Sequence, residues 1–265
     1  MARRKPFAVA NWKMAMTIDA SRRFLRAFRE GLSGAAEKVD VVLCPPYTAL
    51  YPVAEALTGS AIQLGAQNLS RAAGKAHTGE ISAELLADVG CQWVLVGHWE
   101  IRRRLAETDS DVNAKMLAAL EAGLRPILLV GEGADKRGEP EQALADRLPI
   151  LFDGIEAGEV AQMAAVYEPE WTIGVDQPAS PEYVAAGCAA LRRWIAQAYD
   201  DTTAGELRII YGGSVSPEYA DALLASPEVD GLGAGRKGRD PAAFADIVRL
   251  IAEAKGAQLT PSYAP

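Results

Sequence analysis

Across 265 residues, 35 Asp and Glu outweigh 27 Lys and Arg, a formal net charge of −8 that disfavours non-specific binding to nucleic acid or anionic lipid. Apolar residues make up 49% and charged residues 23%, a globular balance that excludes disorder for most of the chain. No stretch approaches the roughly 18 apolar residues of a membrane span, and no apolar signal-peptide core follows the basic start Met1–Phe7. Cys44, Cys91 and Cys188 stand far apart with no CxxC pair. Neither a disulfide framework nor a metal cage is therefore expected, and a reducing cytoplasm is the expected location.

Eight short apolar runs recur in chain order: Phe7–Ala10, Val39–Leu43, Ile62–Ala66, Trp93–Val96, Pro126–Val130, Met163–Tyr167, Arg208–Tyr211 and Val229–Gly233. They are rich in Val, Ile and Leu, as strands buried on both faces are. Amphipathic segments separate them. Ile18–Glu30 carries Phe24, Leu25 and Phe28 on one stripe. Ser180-Pro181 opens the segment to Ala198, with Ser as N-cap, Pro at N1 and Glu182 in the first turn. Asp240-Pro241 repeats the device before Ala242–Ala254, and residues 256–265 read as a loose tail. Strands alternating with helices over this length, with no linker, predict one α/β domain spanning 1–265, a single (β/α)8 barrel. A doubly wound open sheet is the competitor, because periodicity does not reveal closure.

In a barrel, the residues that follow each strand hold the site. The first run leads into Asn11-Trp12-Lys13 and the third into Gln67-Asn68. The fourth leads into Gly97-His98-Trp99-Glu100, the fifth into Gly131-Glu132-Gly133 and the sixth into Glu168-Pro169. The seventh and eighth end in Gly212-Gly213-Ser214 and Gly233-Ala234-Gly235-Arg236. Singly, Lys13 reads as a surface lysine, His98 as a structural histidine and Glu168 as an ion-pair partner. A carboxylate at a barrel mouth, partly removed from water, is also a usable base. Glycines after strands seven and eight let backbone N–H groups approach an anion, at the usual phosphate position of such barrels. A lysine, a histidine, a carboxylate and two anion-ready loops suit proton transfer beside a carbonyl on a phosphorylated substrate. P-loop and HExxH motifs are absent from the sequence, which disfavours metal-assisted hydrolysis.

The stretches Asn11-Trp12-Lys13-Met14, Gly65-Ala66-Gln67-Asn68, Thr78-Gly79-Glu80-Ile81-Ser82, Val96-Gly97-His98, Glu107-Thr108-Asp109, Tyr167-Glu168-Pro169, Ile173-Gly174 and Tyr211-Gly212-Gly213-Ser214-Val215 occur in this order over residues 7–255. Together they resemble the triosephosphate isomerase family, whose fold is the TIM barrel. The resemblance implies a sugar-phosphate isomerase of glycolysis and gluconeogenesis that needs no cofactor. It implies Glu168 as the base, His98 as a neutral electrophile, Lys13 as the stabiliser of enediolate and phosphate charge, Asn11 as an orienting group and Glu100 as the carboxylate near the lysine. It places the phosphate on backbone N–H groups of Gly174, Ser214, Gly235 and Arg236. Pro169-Glu170-Trp171-Thr172-Ile173-Gly174-Val175-Asp176-Gln177-Pro178-Ala179 corresponds to the closing lid, which keeps water from the intermediate. Lid closure and histidine tuning are features for which this family is a standard example. A homodimer is implied too, with Thr78 reaching into the neighbouring subunit.

Some positions depart from the family pattern. Trp99 stands where a serine is usual, Ile101 replaces an arginine and Ala15 an asparagine. The lid differs at Glu170, Thr172 and Val175-Asp176-Gln177, and Pro178 stiffens its end. Arg236-Lys237 replaces a glycine-alanine pair; the arginine side chain reads either as a contact to phosphate or a longer substrate, or as surface. The hinge proline and the Gly-Arg pair resemble a branch that interconverts L-erythrulose 1-phosphate and D-erythrulose 4-phosphate, so triose and tetrulose phosphates both stand as expected substrates. A sugar-phosphate-binding barrel without catalysis is the alternative from another class, disfavoured by the presence of Lys13, His98 and Glu168.

Overall fold

The structure is a computed structural model and describes residues 4–72 and 74–256. Eight parallel strands close into a barrel: β1 (Phe7–Asn11), β2 (Asp40–Cys44), β3 (Gln63–Ala66), β4 (Trp93–Val96), β5 (Arg125–Val130), β6 (Ala164–Tyr167), β7 (Arg208–Gly213) and β8 (Gly231–Ala234). Closure is carried by β1, which pairs in parallel with both β2 and β8. The open-sheet alternative is thereby removed. The helix Pro241–Gly256 includes Gly256, which the sequence reading assigns to the tail, and residues 257–265 lie outside the described residues.

Every strand is buried on both faces, which is why the runs were apolar without alternation. One set of side chains, including Phe7, Val9, Leu95, Leu129, Val166 and Ile210, fills the barrel interior. The other set, such as Ala8, Ala10, Val94 and Leu128, packs outward against the helices. The first and last helices, Ile18–Leu32 and Pro241–Gly256, meet through Phe24, Phe28 and Phe244, with ring centroids 5.3 and 5.2 Å apart along the series. That stack ties the chain ends together outside the β1–β8 seam.

Local chemistry sets the helix starts. Ser180 Oγ accepts from the Tyr183 N–H at the head of Pro181–Ala198, and Asp240 Oδ1 accepts from Ala242 and Ala243 N–H. Thr108 and Asp111 form a reciprocal cap on Asp109–Glu121.

The strand N-terminal ends are sealed by paired polar groups. Asp40 accepts from Lys5 Nζ at 2.7 Å, Gln63 Nε2 at 3.2 Å and Arg208 at 3.4 Å. Trp93 Nε1 donates to Gln63 Oε1 at 2.7 Å, and the Arg208 guanidinium lies over the Phe7 and Trp93 rings. Lys5, Asp40 and Arg208 thus share ion pairs across this end, which is a plug.

Candidate active site

The opposite, C-terminal end opens into a cavity of about 330 Å³. Asn11, Lys13, His98, Glu100 and Glu168 line it, over a floor of Val9, Leu95, Leu129 and Val166. Gly174, Ser214, Gly235 and Arg236 line the same cavity, with Lys237 and Arg239 beside them. Nine residues named from the sequence are thus brought together. The cationic rim also shows how a chain of negative net charge presents a local site for an anion. Thr78 stands apart, exposed on the loop after β3 and outside the cavity lining.

Lys13 sits two residues beyond β1 with φ of 52°, the left-handed region that a non-glycine residue enters only when its surroundings hold it there. Asn11 Oδ1 accepts the Lys13 N–H at 2.9 Å, and Gln67 Nε2 donates to the Lys13 and Cys44 carbonyls, each at 2.9 Å. The lysine Nζ bonds Glu100 Oε1 at 2.8 Å. Burial works to raise the Glu100 carboxyl, but the Lys13 hydrogen bond and charge, with Arg104, outweigh it and hold the group below its ordinary value.

His98 ends the β4 turn as N-cap of the helix Trp99–Leu105. Its Nδ1 accepts the Glu100 backbone N–H at 3.0 Å. An N–H donor requires a lone pair on Nδ1, so the imidazole is neutral and carries its proton on Nε2. That nitrogen lies 3.9 Å from Glu168 Oε2. Both side chains are buried, and Oε2 has no hydrogen-bond partner among the described residues. A buried orphan carboxylate oxygen is costly unless something else uses it. Glu168 fits because Gly212 has no side chain: a Cβ there would press to 3.3 Å of Glu168 Oε1 and 2.5 Å of Val166.

The segment Pro169–Ala179 lies against the mouth and is pinned at several points. Its short turn Glu170–Thr172 is held by Glu170, which accepts from the Ala134 N–H at 2.7 Å and from Arg103. Trp171 Nε1 donates to Glu132 Oε1 at 2.9 Å, and the Ala179 N–H donates to Tyr211 Oη at 3.1 Å. Ser214 Oγ donates to the Thr172 carbonyl at 3.4 Å and to that of Val175. Burial, partly offset by its own hydrogen bonds, pushes the Tyr211 hydroxyl up to about 12, so it remains a neutral group.

Residues 6–251 match the family model described as triosephosphate isomerase. The chain belongs to the triosephosphate isomerase family. It is 42% identical to a triosephosphate isomerase of Symbiobacterium thermophilum, across 95% of this chain and 99% of that protein. It is 38% identical to a triosephosphate isomerase of Chloroflexus aurantiacus, across 92% and 98%. A third, from Dictyoglomus turgidum, is 37% identical across 93% and 99%.

Against the triosephosphate isomerase pattern, two departures gain a structural account. Arg236 turns to the lid: Nη1 bonds Asp176 Oδ1 at 2.8 Å and Nη2 donates to the Val175 carbonyl at 3.1 Å. Arg236 is thus an exposed residue whose side chain bridges the β8 loop and the lid. Trp99 donates its indole N–H to the Glu168 main-chain carbonyl at 2.9 Å. Nothing in the structure explains Ala15.

Sequence reasoning missed Glu132 as a site residue. It is fully buried and accepts from Tyr167 Oη at 2.9 Å, Tyr183 Oη at 2.7 Å and Trp171 Nε1. Burial first and this carboxylate second push the Tyr167 hydroxyl up. Its one signal was position, between Gly131 and Gly133 after the fifth run. Gln67 was visible in a motif, but its two carbonyl bonds were not.

Proposed function

We propose that the chain interconverts D-glyceraldehyde 3-phosphate and dihydroxyacetone phosphate, the reaction named by its relatives and a step of glycolysis and gluconeogenesis. The observation that carries this reading is the facing pair at one cavity: an unpartnered Glu168 Oε2 and the protonated Nε2 of a neutral His98, 3.9 Å apart. A substrate seated in the cavity beside this pair sets a carbon against Oε2 and its oxygen against Nε2.

Glu168 removes a proton from the carbon next to the carbonyl while His98 Nε2–H hydrogen-bonds the oxygen that gains charge. Lys13, released from Glu100, stabilises the enediolate, and Asn11 orients the oxygens. The imidazole exchanges a proton between the two oxygens, Glu168 returns its proton to the neighbouring carbon, and no atom is gained or lost. Backbone N–H groups of Gly174, Ser214, Gly235 and Arg236 hold the phosphate. The lid keeps water from the intermediate.

The tetrulose reading is not favoured. The relatives are named triosephosphate isomerase, and Arg236, the residue that raised it, spends its side chain on Asp176. The site works as a homodimer in the cytoplasm on this reading. The exposed loop bearing Thr78, the 96% exposed Met14 beside Lys13 and three unpaired cysteines support it. Light scattering checks the dimer; a monomeric active protein removes Thr78 from it. Incubation of dihydroxyacetone phosphate in deuterated water tests the chemistry: carbon-bound deuterium and aldehyde product are expected, and neither forms if the barrel only binds.

A further inference from the structure

We propose that Trp99 is a positioning residue for the base, acting through the main-chain carbonyl of Glu168; this rests on the isomerase reading above. The Glu168 side chain has little to aim it, since Oε2 has no hydrogen-bond partner among the described residues. Its direction therefore depends on the backbone that carries it. That backbone is held on both sides. The Glu168 N–H donates to the Val130 carbonyl at 2.8 Å, and the Glu168 carbonyl accepts the Trp99 indole N–H at 2.9 Å. The next residue is Pro169, whose ring fixes φ and offers no N–H. The indole bond thus lies at the junction between the rigid β6 end and the lid, and it separates lid movement from the aim of the carboxylate.

The indole is itself fixed. The Arg147 guanidinium lies 4.9 Å from its ring centroid and that of Arg102 lies 5.9 Å away. Both arginines are anchored on Asp109: Arg147 through Nε and Nη2 at 3.1 and 2.8 Å, Arg102 through Nη1 at 2.7 Å. Arg147 Nη1 also donates to the Gly131 carbonyl at 2.6 Å. Gly131 must lack a side chain, because a Cβ there would stand 2.4 Å from the Glu168 carbonyl oxygen. Asp109, two arginines, an indole and a glycine thus converge on one peptide unit, the peptide of the base. A serine at position 99, as in the family pattern, is too short to provide this ring and its stacked guanidinium.

The test replaces Trp99 with 3-benzothienylalanine, which keeps the ring shape and deletes only the N–H, alongside Trp99→Phe. Steady-state kinetics on D-glyceraldehyde 3-phosphate, inhibition by inorganic phosphate and melting temperature are read on each. A displaced base costs kcat while ground-state binding survives. Expected is a loss of about tenfold or more in kcat, with KM and the phosphate inhibition constant within about twofold of wild type. Wild-type kcat in the isostere overturns the proposal. So does a loss that follows only the folded fraction, with kcat per folded site unchanged. Glu168→Gln in the same series separates the two readings: wild type no faster than that variant sinks the isomerase assignment, whereas a fast wild type matched by the isostere sinks only the role of Trp99.

Discussion

The two ends of one barrel are built from the same eight strands and obey opposite rules. At the N-terminal end, Lys5, Asp40, Gln63, Trp93 and Arg208 are linked by ion pairs and hydrogen bonds, and the one buried side-chain atom among them without a hydrogen-bond partner among the described residues, Arg208 Nε, belongs to a guanidinium that lies over two aromatic rings. At the C-terminal end, Glu168 keeps a buried oxygen with no hydrogen-bond partner among the described residues, Lys13 is held in a left-handed backbone, and a cavity stands open. Stability is concentrated where polar groups are matched, and unmatched groups are tolerated where a substrate matches them. Changes at the mouth should therefore alter turnover and leave the fold, and changes at the plug should do the reverse.

The largest expected effect is at the base. Glu168→Gln should lower kcat by roughly 10³-fold while phosphate still binds, since the amide keeps shape but not basicity. A kcat within about tenfold of wild type would break the reading of the orphan oxygen. Lys13→Ala should come next, lowering kcat by roughly 10²-fold and abolishing detectable inhibition by phosphate; calorimetric titration showing wild-type phosphate affinity would remove the lysine from the anion site.

At the plug, Asp40→Ala leaves Arg208 and Lys5 without their carboxylate, and urea unfolding should report a loss of about 2–4 kcal/mol. The catalytic constants of the folded protein should not move. If kcat falls instead, the two ends are not independent.

Asp109 sharpens the contrast through pH. Burial works to raise its carboxyl, but Arg147 and Arg102 outweigh it and hold the group below its ordinary value. The unfolded chain then takes up the proton first as pH falls. Its contribution is complete above the ordinary carboxylate value of about 3.9 and is lost as pH falls through the lower, folded value. Asp109→Asn should flatten that acid limb of a stability profile; an unchanged limb would show that the ion pairs are not coupled to folding.

The smallest effect belongs to Arg236→Gly, because its pair with Asp176 is exposed on both sides. Such pairs are weak and screened by salt, so kcat/KM should change by less than about fivefold and the change should shrink in high salt. A larger, salt-insensitive loss would make the arginine part of the phosphate site.

The strands were legible because each is buried on both faces and reads as an unbroken apolar run; Asp40 and Gln63 start theirs one residue from the boundary given by hydropathy. The helix starts at Ser180 and Asp240 were legible because capping is local. Closure was not, since the pairing of β1 with β8 joins residues more than 220 positions apart. The residues of the mouth were legible by position and by family motif. What holds them was not. Trp99 bonds Glu168 from 69 residues away, Trp171 bonds Glu132 from 39, and Arg236 bonds Asp176 from 60. None of these pairs leaves a periodic or compositional trace in the chain.

The most direct measurement is kcat/KM for D-glyceraldehyde 3-phosphate beside L-erythrulose 1-phosphate, with Glu168→Gln as the blank. Strong preference for the triose, lost with the carboxylate, is the predicted result. Fast turnover of the tetrulose phosphate with a weak triose rate, or a wild type no faster than the blank, would contradict it.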